Sequence, residues 1–593
     1  MQIKDKRVIV IGAASSLGLA FSRELLRNGA SMIVMIDIRQ SLGQQAEQTF
    51  NSDFGRKRAV FLHCDVTNNS EFDATLKEAI NILGGLDIVI NNASVINETD
   101  FSRTIDVNVT ALIRGTILGI QQMRKDSGGK GGVVVNISSI AGLRAVPELP
   151  VYSTTKHAVV SFSRSFAQPY HYERTNVKVI VLCPGLADTS VLEDLPQGIS
   201  NIDILQNYQP QRVETIAHGL VYVIRCAQNG SVWISEDGKP VYEVQLPDTL
   251  PQKSEIELKE NYKNDRKIFE RSRAYPPMRP LRRRSSASER AKEIEAINCI
   301  VSGKNVLITG GAAGLGYAFL NHFLKHGANK IVILDIDAEA GKRIALGIEK
   351  SCGEKKVHFI HTDVSNHKQV TEAFKKTSAL LETIDIVVNN AGILDERRWE
   401  KEIAVNISGM VSTAMLAMQH MRRDTGGHGG ILVNVGQHMD IRNTAQLPVY
   451  TATKHAIIGL SQSLSDPYHY EKTGVTVITL CAGLTETSMT VDSPNKLLSR
   501  VMKADFVKTL EQFSIQTPYV VAQGLMTILR IGESGSIWVI ESGRAPYEVY
   551  VPNPRTLRRH YKNNFTHVDT KVVGGRAIRE VCDSTRTGLM SCA

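Results

Sequence analysis

The chain contains one long pattern twice, and this repeat limits the folds that it can adopt. The segment VYSTTKHA at residue 151 recurs as VYTATKHA at residue 449, and PYHYERTNVKVIVLCPGLADTS at 169 recurs as PYHYEKTGVTVITLCAGLTETS at 467. Both pairs are 298 residues apart. Solenoid repeats are much shorter, at roughly 20–50 residues. The pattern therefore indicates that a whole domain is duplicated.

The repeat predicts four segments. We expect a first domain at residues 1–250, a linker at 251–301, a second domain at 302–552 and a tail at 553–593. The linker is rich in proline, serine and charged residues, which makes it a poor core former, so we expect part of it to be disordered. The tail is polar and basic, and we expect it to be flexible.

The net charge of +9 does not indicate a nucleic-acid partner. Residues 251–300 hold 13 Lys+Arg against 8 Asp+Glu, and residues 553–593 hold 8 against 3. The excess positive charge therefore belongs to the linker and the tail, and the two domains are close to neutral.

Several further patterns bear on the environment of the protein. The sequence contains no run of about eighteen apolar residues, so it predicts no membrane span. The start MQIKDKRVIVIGAAS lacks the pattern of a secretory signal. The eight cysteines are scattered, without CxxC spacing. We therefore expect reduced thiols, no metal site and a cytoplasmic location.

In each copy, short β-branched runs alternate with helical stretches. In the first copy the runs are RVIVIG, MIVMID, AVFLHCD, LDIVINN, GVVVNIS and VKVIVLCPG. They are almost wholly apolar, as expected of strands that are covered on both faces. This alternation predicts an α/β fold with two tandem Rossmann-like domains, each a doubly wound parallel sheet. Ligands then bind at the carboxyl ends of the strands.

A glycine-rich turn follows the first strand of the second copy, in VLITGGAAGLG. Gly310, Gly314 and Gly316 allow the backbone to approach a pyrophosphate at a helix N-terminus. Asp335 ends the second strand, where a carboxylate binds an adenosine ribose and repels a 2′-phosphate. This combination predicts a dinucleotide site that prefers NAD to NADP. The alternative is that Asp335 is a surface residue at a strand end.

The first copy has a modified version of this turn, VIVIGAASSLG. Gly12 and Gly18 are kept, and Ser16 replaces the middle glycine, where we expect it to cap the helix and to crowd the phosphates slightly. Asp37 is the matching acid. Four further residues end the third and fourth strands and are assigned to the same dinucleotide sites: Asp65, Asn92, Asp363 and Asn390.

A tyrosine and a lysine lie four residues apart in each copy, on one face of a predicted helix. Oxidation of an alcohol requires hydride transfer and removal of the hydroxyl proton. A phenol is a poor base at neutral pH, since its ordinary pKa is about 10, but a neighbouring ammonium is expected to lower that pKa. Tyr152 with Lys156, and Tyr450 with Lys454, are therefore candidate catalytic pairs. In the first copy, Ser139 precedes Tyr152 and offers a hydroxyl to the substrate oxygen.

Together these motifs resemble those of the short-chain dehydrogenase/reductase family, over roughly 500 of the 593 residues. The phrases GGKGGVVVNISSIAGL and LPVYSTTKHAVVSFSRS resemble the NAD-linked 15-hydroxyprostaglandin dehydrogenase and insect alcohol dehydrogenase branches. The resemblance implies NAD as the cofactor and a small-molecule alcohol or ketone as the substrate. It implies that Asn108 and Asn406 support the two lysines through water, and that Thr189 and Thr487 contact the nicotinamide carboxamide.

The second copy departs from the catalytic pattern. It keeps Asn406, Tyr450 and Lys454, but Gln437 stands where the first copy has Ser139, and His438 follows it. Loss of an oxyanion donor costs about 10²–10³ in rate. We therefore expect the second copy to bind NAD and to catalyse weakly or not at all. The alternative is that Gln437 or His438 serves a shifted substrate.

Relatives of this family usually dimerise through the long helices beside the active site. Two tethered copies then form a pseudodimer within one chain, and higher homo-oligomers remain open. For function, two classes compete: an alcohol dehydrogenase that acts from the first copy, and a non-enzymatic scaffold that binds NAD. The leucines and isoleucines of SVLEDLPQGISNIDILQNYQ, after the sixth strand, suit an apolar substrate.

Overall fold

A computed structural model describes residues 1–188, 210–253, 300–437 and 444–559, and the structural statements below concern those residues. Each copy of the repeat forms an eight-stranded sheet in the order 3-2-1-4-5-6-7-8. The first seven strands run parallel and the eighth runs antiparallel to the seventh. This order confirms the predicted α/β class and the two tandem doubly wound sheets.

The first half follows the predicted alternation of strands and helices. Its strands are β1 (Arg7–Ile11), β2 (Met32–Asp37), β3 (Ala59–His63), β4 (Ile88–Asn91), β5 (Gly132–Ile137), β6 (Val177–Pro184), β7 (Val232–Ser235) and β8 (Tyr242–Val244). Its helices are α1 (Ser16–Arg27), α2 (Gln40–Phe54), α3 (Asn69–Leu83), α4 (Phe101–Ile105), α5 (Leu112–Met123), α6 (Pro150–Phe166), α7 (Pro169–Thr175) and α8 (Val213–Cys226).

The second half repeats these elements, and short helices follow its sixth strand. Its strands are β9 (Val306–Thr309), β10 (Ile331–Asp335), β11 (Val357–His361), β12 (Ile386–Asn389), β13 (Gly430–Gln437), β14 (Val475–Ala482), β15 (Ile537–Ile540) and β16 (Tyr547–Val549). Its helices are α9 (Gly314–Lys325), α10 (Ala338–Cys352), α11 (His367–Leu381), α12 (Trp399–Ile403), α13 (Met410–Met421), α14 (Pro448–Leu464), α15 (Pro467–Thr473), α16 (Ser488–Asp492), α17 (Lys503–Leu510) and α18 (Pro518–Ile531).

The central strands are buried on both faces, as their apolar sequences predict. In β1 and β4, for example, all residues except Arg7 are buried. On one face of each sheet the apolar core belongs to that half alone. On the other face a single cluster of buried apolar residues includes members from both halves. The two halves are therefore joined by a shared core.

The helices α6 and α14 form the centre of this shared core. Nearly every residue of α6 is buried, including many serines and threonines whose hydroxyls bond to carbonyls of their own helix. Small side chains of this kind allow two helices to approach closely. The Ser161 hydroxyl lies 2.9 Å from Nδ1 of His455 on α14. At the pseudosymmetric position, Gly459 leaves space for the ring of His157.

The two halves also exchange short segments at the edges of their sheets. The amide of Gln245 donates to the carbonyl of Leu557 at 2.8 Å. The amide of Lys253 donates to the carbonyl of Glu548 at 3.0 Å. Arg555 forms an ion pair of 2.7 Å with Glu236. The first residues of the predicted linker and tail are thus paired with the opposite half. Residues 254–299 and 560–593 lie outside the described part.

None of the described helices has both the length and the apolar character needed to cross a lipid bilayer. The proposed boundaries at residues 250 and 302 stay a prediction, because the two halves pack into one unit that extends to Arg558.

The close helix crossing gives a test with a matched control. A Cβ atom on Gly459 would lie 2.6 Å from Nδ1 of His157, so Gly459→Ala is expected to destabilise the protein by about 1–3 kcal/mol through overpacking. Gly347 in α10 is exposed and has open space around it, so Gly347→Ala is expected to stabilise by about 0.5–1 kcal/mol. Thermal unfolding of both variants measures the difference. Equal thermal midpoints for the two variants would contradict the close packing of Gly459 against His157.

Candidate active site

The turn after β1 is shaped by glycines, as predicted. Gly12 has φ +80°, and a Cβ there would collide with the backbone of Ala93. A Cβ on Gly18 would collide with the carbonyl of Gly12. The helix cap is Ser15 and not Ser16, which corrects the expectation from the sequence. Ser15 Oγ accepts from the amide of Gly18 at 3.0 Å, and Ser16 is the first residue of the helix.

The second half keeps the corresponding loop with all three glycines. Gly310 and Gly314 have φ +65° and +50°, in the region that favours glycine. A Cβ on Gly316 would collide with the carbonyl of Gly310. Thr487 lies beside this loop, since its Cγ2 would be 3.4 Å from a Cβ on Gly314. The structure therefore brings Thr487 to the dinucleotide loop of its own half.

The two acids that are predicted to bind the adenosine ribose also accept hydrogen bonds from the backbone of these loops. Asp37 Oδ2 accepts from the amide of Ala14 at 2.9 Å, and Asp335 Oδ2 accepts from that of Ala312 at 2.9 Å. A carboxylate oxygen has two lone-pair directions, so each acid retains acceptor capacity after binding the loop. The geometry fits a role in which the acid fixes the loop and also binds a ribose.

The predicted residues at the ends of the third and fourth strands are arranged alike in the two halves. Asn92 Nδ2 donates to the carbonyl of Gly12 at 2.8 Å, and Asn390 Nδ2 donates to that of Gly310 at 3.2 Å. Both asparagines therefore brace the glycine turns.

Asp65 and Asp363 occupy equivalent positions after the third strands. Asp65 Oδ1 accepts from the amide and hydroxyl of Thr67, and Asp363 Oδ1 accepts from those of Ser365. Burial raises the pKa of each carboxyl, but these hydrogen bonds and a nearby cation outweigh it and leave each pKa below its usual value. Both acids are thus held as carboxylates at the sheet edge.

The catalytic residues predicted in the first half come together in one place. Ser139 ends the loop after β5, and Tyr152 and Lys156 lie on α6. The Lys156 ammonium nitrogen lies 5.4 Å from the centre of the Tyr152 ring and donates to the carbonyl of Ile137 at 3.3 Å. Its side chain is only 1% exposed. The hydroxyls of Ser139 and Ser94 both lower the pKa of the Tyr152 phenol, and Ser94 Oγ is buried without a hydrogen-bond partner among the described residues.

Ser94 was missed by the sequence reasoning, which placed it only within the NNAS motif. It stands where the second half has Gly392. A Cβ on Gly392 would lie 3.4 Å from the Lys454 nitrogen and 3.3 Å from Oδ1 of Asn406. The first half therefore carries an additional hydroxyl in this part of its site. The change from glycine to serine at the 298-residue offset was the signal that could have found it.

The pKa values correct one expectation. The sequence predicted that a lysine would lower the pKa of the phenol. Instead, burial raises the pKa of Tyr152 to about 12, although the hydroxyls of Ser139 and Ser94 act in the opposite direction. Burial also lowers the pKa of Lys156 to about 7. The low dielectric that surrounds both groups disfavours their charged forms.

Asn108 and Asn406 lie in π-helical turns, at residues 106–111 and 404–409. Such turns are frequent at functional sites. Asn108 Oδ1 accepts from the amide of Val95 at 2.8 Å, and its Nδ2 donates to the carbonyl of Val95 and to Oγ1 of Thr155. The side chain therefore links the loop after β4 to the residue next to Lys156. Asn406 makes the equivalent bonds in the second half.

Two buried carboxyls at the start of the catalytic helices were also missed. Glu98 accepts from the amides of Val151 and Tyr152 at 2.8 and 2.9 Å. Glu396 does the same for Val449 and Tyr450. Burial raises the pKa of Glu98 to about 7 and that of Glu396 to about 8. The signal was an acid that persists at the 298-residue offset between otherwise dissimilar segments.

The site of the second half has a different lining. The Tyr450 hydroxyl lies 3.9 Å from the thioether of Met489, and the ring packs with a cluster that contains Leu497 and Phe506. Gln437 replaces the serine, and its Oε1 is buried without a hydrogen-bond partner among the described residues. Burial raises the pKa of Tyr450 above its usual value, and the carboxylate of Glu402 adds to this effect.

Two predicted residues lie outside the described part of the chain. Thr189 and His438 both fall there, as does the segment SVLEDLPQGISNIDILQNYQ that was expected to shape the substrate pocket. Their proposed roles stay predictions.

Comparison with known proteins agrees with this geometry. A sequence model of the family described as short chain dehydrogenase matches residues 6–199 and 304–498. The chain belongs to this family. Mouse 15-hydroxyprostaglandin dehydrogenase [NAD(+)] is 34% identical over 243 residues, which are 39% of this chain and 90% of that protein. Alcohol dehydrogenase 1 of Ceratitis capitata is 28% identical over 244 residues, which are 40% and 94%.

A solved structure of levodione reductase, another similar protein, has 22% sequence identity and a TM-score of 0.36, and covers 41% of this chain and 97% of its own. The two matches to the short-chain dehydrogenase family model confirm the tandem duplication.

The buried carboxyls give a prediction for stability. The folded state keeps a proton on Glu396 up to a pKa of about 8, whereas an unfolded glutamic acid releases it near 4.5. The contribution of this group is therefore fully present below about pH 4.5 and is lost as the pH rises to about 8, by at most about 1.4 kcal/mol per pH unit. Glu396→Gln removes this dependence. Its thermal midpoint, relative to the unmodified protein, is expected to rise from about pH 5 to about pH 8.

Glu98→Gln serves as the matched comparison, because its carboxyl has a pKa of about 7. The thermal midpoint of Glu98→Gln, relative to the unmodified protein, is expected to stop rising about one pH unit earlier, near pH 7. A flat difference between Glu396→Gln and the unmodified protein across this range would contradict the prediction.

Proposed function

We propose that the protein is an NAD-dependent dehydrogenase that oxidises an apolar secondary alcohol to a ketone in its first half. Tyr152 is the base, and the second half binds NAD and catalyses weakly or not at all. The observation that carries this proposal is the contrast between the two tyrosines. The hydroxyls of Ser139 and Ser94 lower the pKa of the Tyr152 phenol, whereas the Tyr450 phenol faces the thioether of Met489.

The residues present fit NAD in both halves. The glycine turns leave the backbone open for a pyrophosphate at the start of α1 and α9. Asp37 and Asp335 stand at the ends of the second strands, where an acid selects against a 2′-phosphate. The mouse relative carries NAD(+) in its name, which supports the same cofactor here. When bound, NAD supplies the carbon that accepts the hydride.

The residues of the first half supply the proton chemistry. Ser139 holds the substrate oxygen near the Tyr152 hydroxyl, and the phenol oxygen takes the hydroxyl proton of the alcohol. Because burial raises the pKa of Tyr152 to about 12, the phenolate needs a nearby cation. Lys156 provides it from beneath the same ring. Ser94 stabilises the phenolate further by adding a hydroxyl beside it.

The lining of the first site suits an apolar substrate. The Tyr152 ring packs with Ile96, Ala141, Val146 and Leu149. These side chains offer no hydrogen-bonding groups to a substrate, so a hydrocarbon chain next to the reacting alcohol would be favoured. Hydroxylated fatty acids and sterols are the classes to test first.

The second half lacks two features that support proton transfer. Gln437 removes the hydroxyl opposite the phenol, and Gly392 removes the hydroxyl that Ser94 contributes. In addition, Glu402 is buried near Lys454 and raises the pKa of Tyr450, and burial raises the pKa of Glu402 itself, so the two groups disfavour each other's anionic forms. Each of these changes acts against a phenolate at Tyr450.

Paired tyrosine variants test the assignment of activity. Tyr152→Phe is expected to lower NADH production with a panel of secondary alcohols by about 10²–10⁴-fold, because the base is lost. Tyr450→Phe is the matched control, and its turnover is expected to stay close to that of the unmodified protein. Turnover that survives Tyr152→Phe and falls with Tyr450→Phe would reverse the assignment.

Calorimetric titration with NAD tests the cofactor assignment separately. We expect two sites per chain. Asp37→Ala should weaken one of them by roughly 10- to 100-fold through loss of charge-assisted hydrogen bonds, and should also reduce turnover at low NAD. Asp335→Ala should weaken the other site and leave turnover nearly unchanged. A single site in the unmodified chain would contradict NAD binding by both halves.

A non-enzymatic scaffold is the second candidate. It is favoured by the raised pKa of Tyr152 and the lowered pKa of Lys156, since both shifts disfavour the charged forms that catalysis requires. Tight binding of NAD together with no turnover of any alcohol, in either direction, would select this function.

A further inference from the structure

The loop between Ser139 and Tyr152 is contacted by the other half of the molecule. This loop, residues 140–149, is named here the first active-site loop. His469 of α15 places Nε2 at 2.7 Å from the carbonyl oxygen of Pro147, in the middle of the loop. The contact has a pseudosymmetric mate, because His171 of α7 places Nε2 at 2.7 Å from the carbonyl of Ala445. Each half therefore holds the active-site loop of the other.

The carbonyl of Pro147 lies between two residues that line the catalytic tyrosine. Tyr152 packs against a buried apolar cluster that contains Val146 and Leu149. The amide of Val146 donates to Oγ of Ser153 on α6 at 3.0 Å, and the amide of Leu149 donates to the carbonyl of Val146 at 3.1 Å. A donor that fixes Pro147 therefore restrains the apolar cluster against which Tyr152 packs.

The backbone that carries His469 is fixed by hydrogen bonds at the start of α15. His469 lies in the first turn of α15, and its amide donates to the carbonyl of Asp466 at 2.9 Å. The Asp466 carboxylate caps the same helix by accepting from the amide of Tyr468 at 3.0 Å. A carbonyl acceptor requires that Nε2 carries the proton, so this tautomer of the imidazole is the one that holds the loop.

We propose that His469 is a positioning residue for the active site of the first half. It acts across the interface by holding Pro147, and the second half thereby contributes a structural element to the reaction, whatever its own activity. The inference rests on the proposed function for its effect on catalysis. The effect on loop order does not depend on that function, since it follows from the hydrogen bond alone.

The test uses three variants of the full chain. His469→Ala removes the donor to Pro147, and His469→Gln restores an N–H donor of similar reach. His171→Ala removes the pseudosymmetric donor and is the matched control, because it affects the loop of the second half. The measurements are kcat and KM for an alcohol that the unmodified protein oxidises, hydrogen exchange in residues 140–149, and the thermal midpoint.

We expect His469→Ala to lower kcat roughly tenfold, in line with the loss of a buried hydrogen bond, while KM for NAD changes little. Exchange in residues 140–149 should rise in the same variant. His469→Gln should recover most of both effects. His171→Ala should leave kcat within about twofold and should raise exchange in residues 444–449 instead.

The outcomes separate this proposal from the proposed function. Unchanged exchange in residues 140–149 for His469→Ala would overturn it, as would equal losses of kcat in His469→Ala and His171→Ala. If the unmodified protein oxidises no alcohol, the dehydrogenase assignment fails, and the exchange measurement still decides whether His469 orders the loop. Lower kcat with no recovery in His469→Gln would show that the hydrogen bond is not the cause.

Discussion

The packing of α6 against α14 is the contact on which the rest of the molecule depends. These helices carry both candidate catalytic tyrosines, both lysines and the histidines of the interface. Small residues such as Ser161 and Gly459 bring their axes close, so the apolar faces of two sheets merge into one core. Because the same helices build the interface and the sites, the position of each tyrosine is coupled to the packing between the halves.

Burial at this interface sets the electrostatics of the sites. Burial lowers the pKa of the Lys156 ammonium to about 7 and that of the Lys454 ammonium to about 8. The neighbouring phenols shift in the opposite direction for the same reason. The first half offsets part of this cost with two hydroxyls, and the second half adds the carboxyl of Glu402 instead. The divergence of the two copies is therefore a difference in how an anion at the tyrosine would be stabilised.

Much of the fold and part of the site were accessible from the sequence. Alternating apolar runs and helical stretches predicted a doubly wound parallel sheet in each copy, and the glycine turns with Asp37 and Asp335 predicted the loops that the structure shows. The helix cap at Ser15 was assigned to Ser16, because two adjacent serines offer the same chemistry and only the backbone angles distinguish them. Glu98 and Ser94 were missed because no sequence motif by itself indicates a chemical role for either residue.

Contacts between the halves were beyond any local pattern. His171 and His469 occur in a repeated PYHY phrase, yet nothing in that phrase indicates that each reaches a carbonyl almost 300 positions away. Likewise, the side-chain pKa values depend on burial, which a sequence does not state. A spacing of four residues placed Tyr152 and Lys156 on one helical face, but it did not reveal how burial would shift the pKa of either side chain.

The sequence by itself determined the duplicated domain, the alternation of strands and helices and the residue types at the two sites, because hydrophobic periodicity and glycine turns act locally. Only the tertiary structure decided which groups meet Tyr152 and Tyr450, how burial shifts the pKa of each, and how each half supports the loop of the other. Those properties arise from residues far apart in the chain, and they exist only once the two sheets share a core.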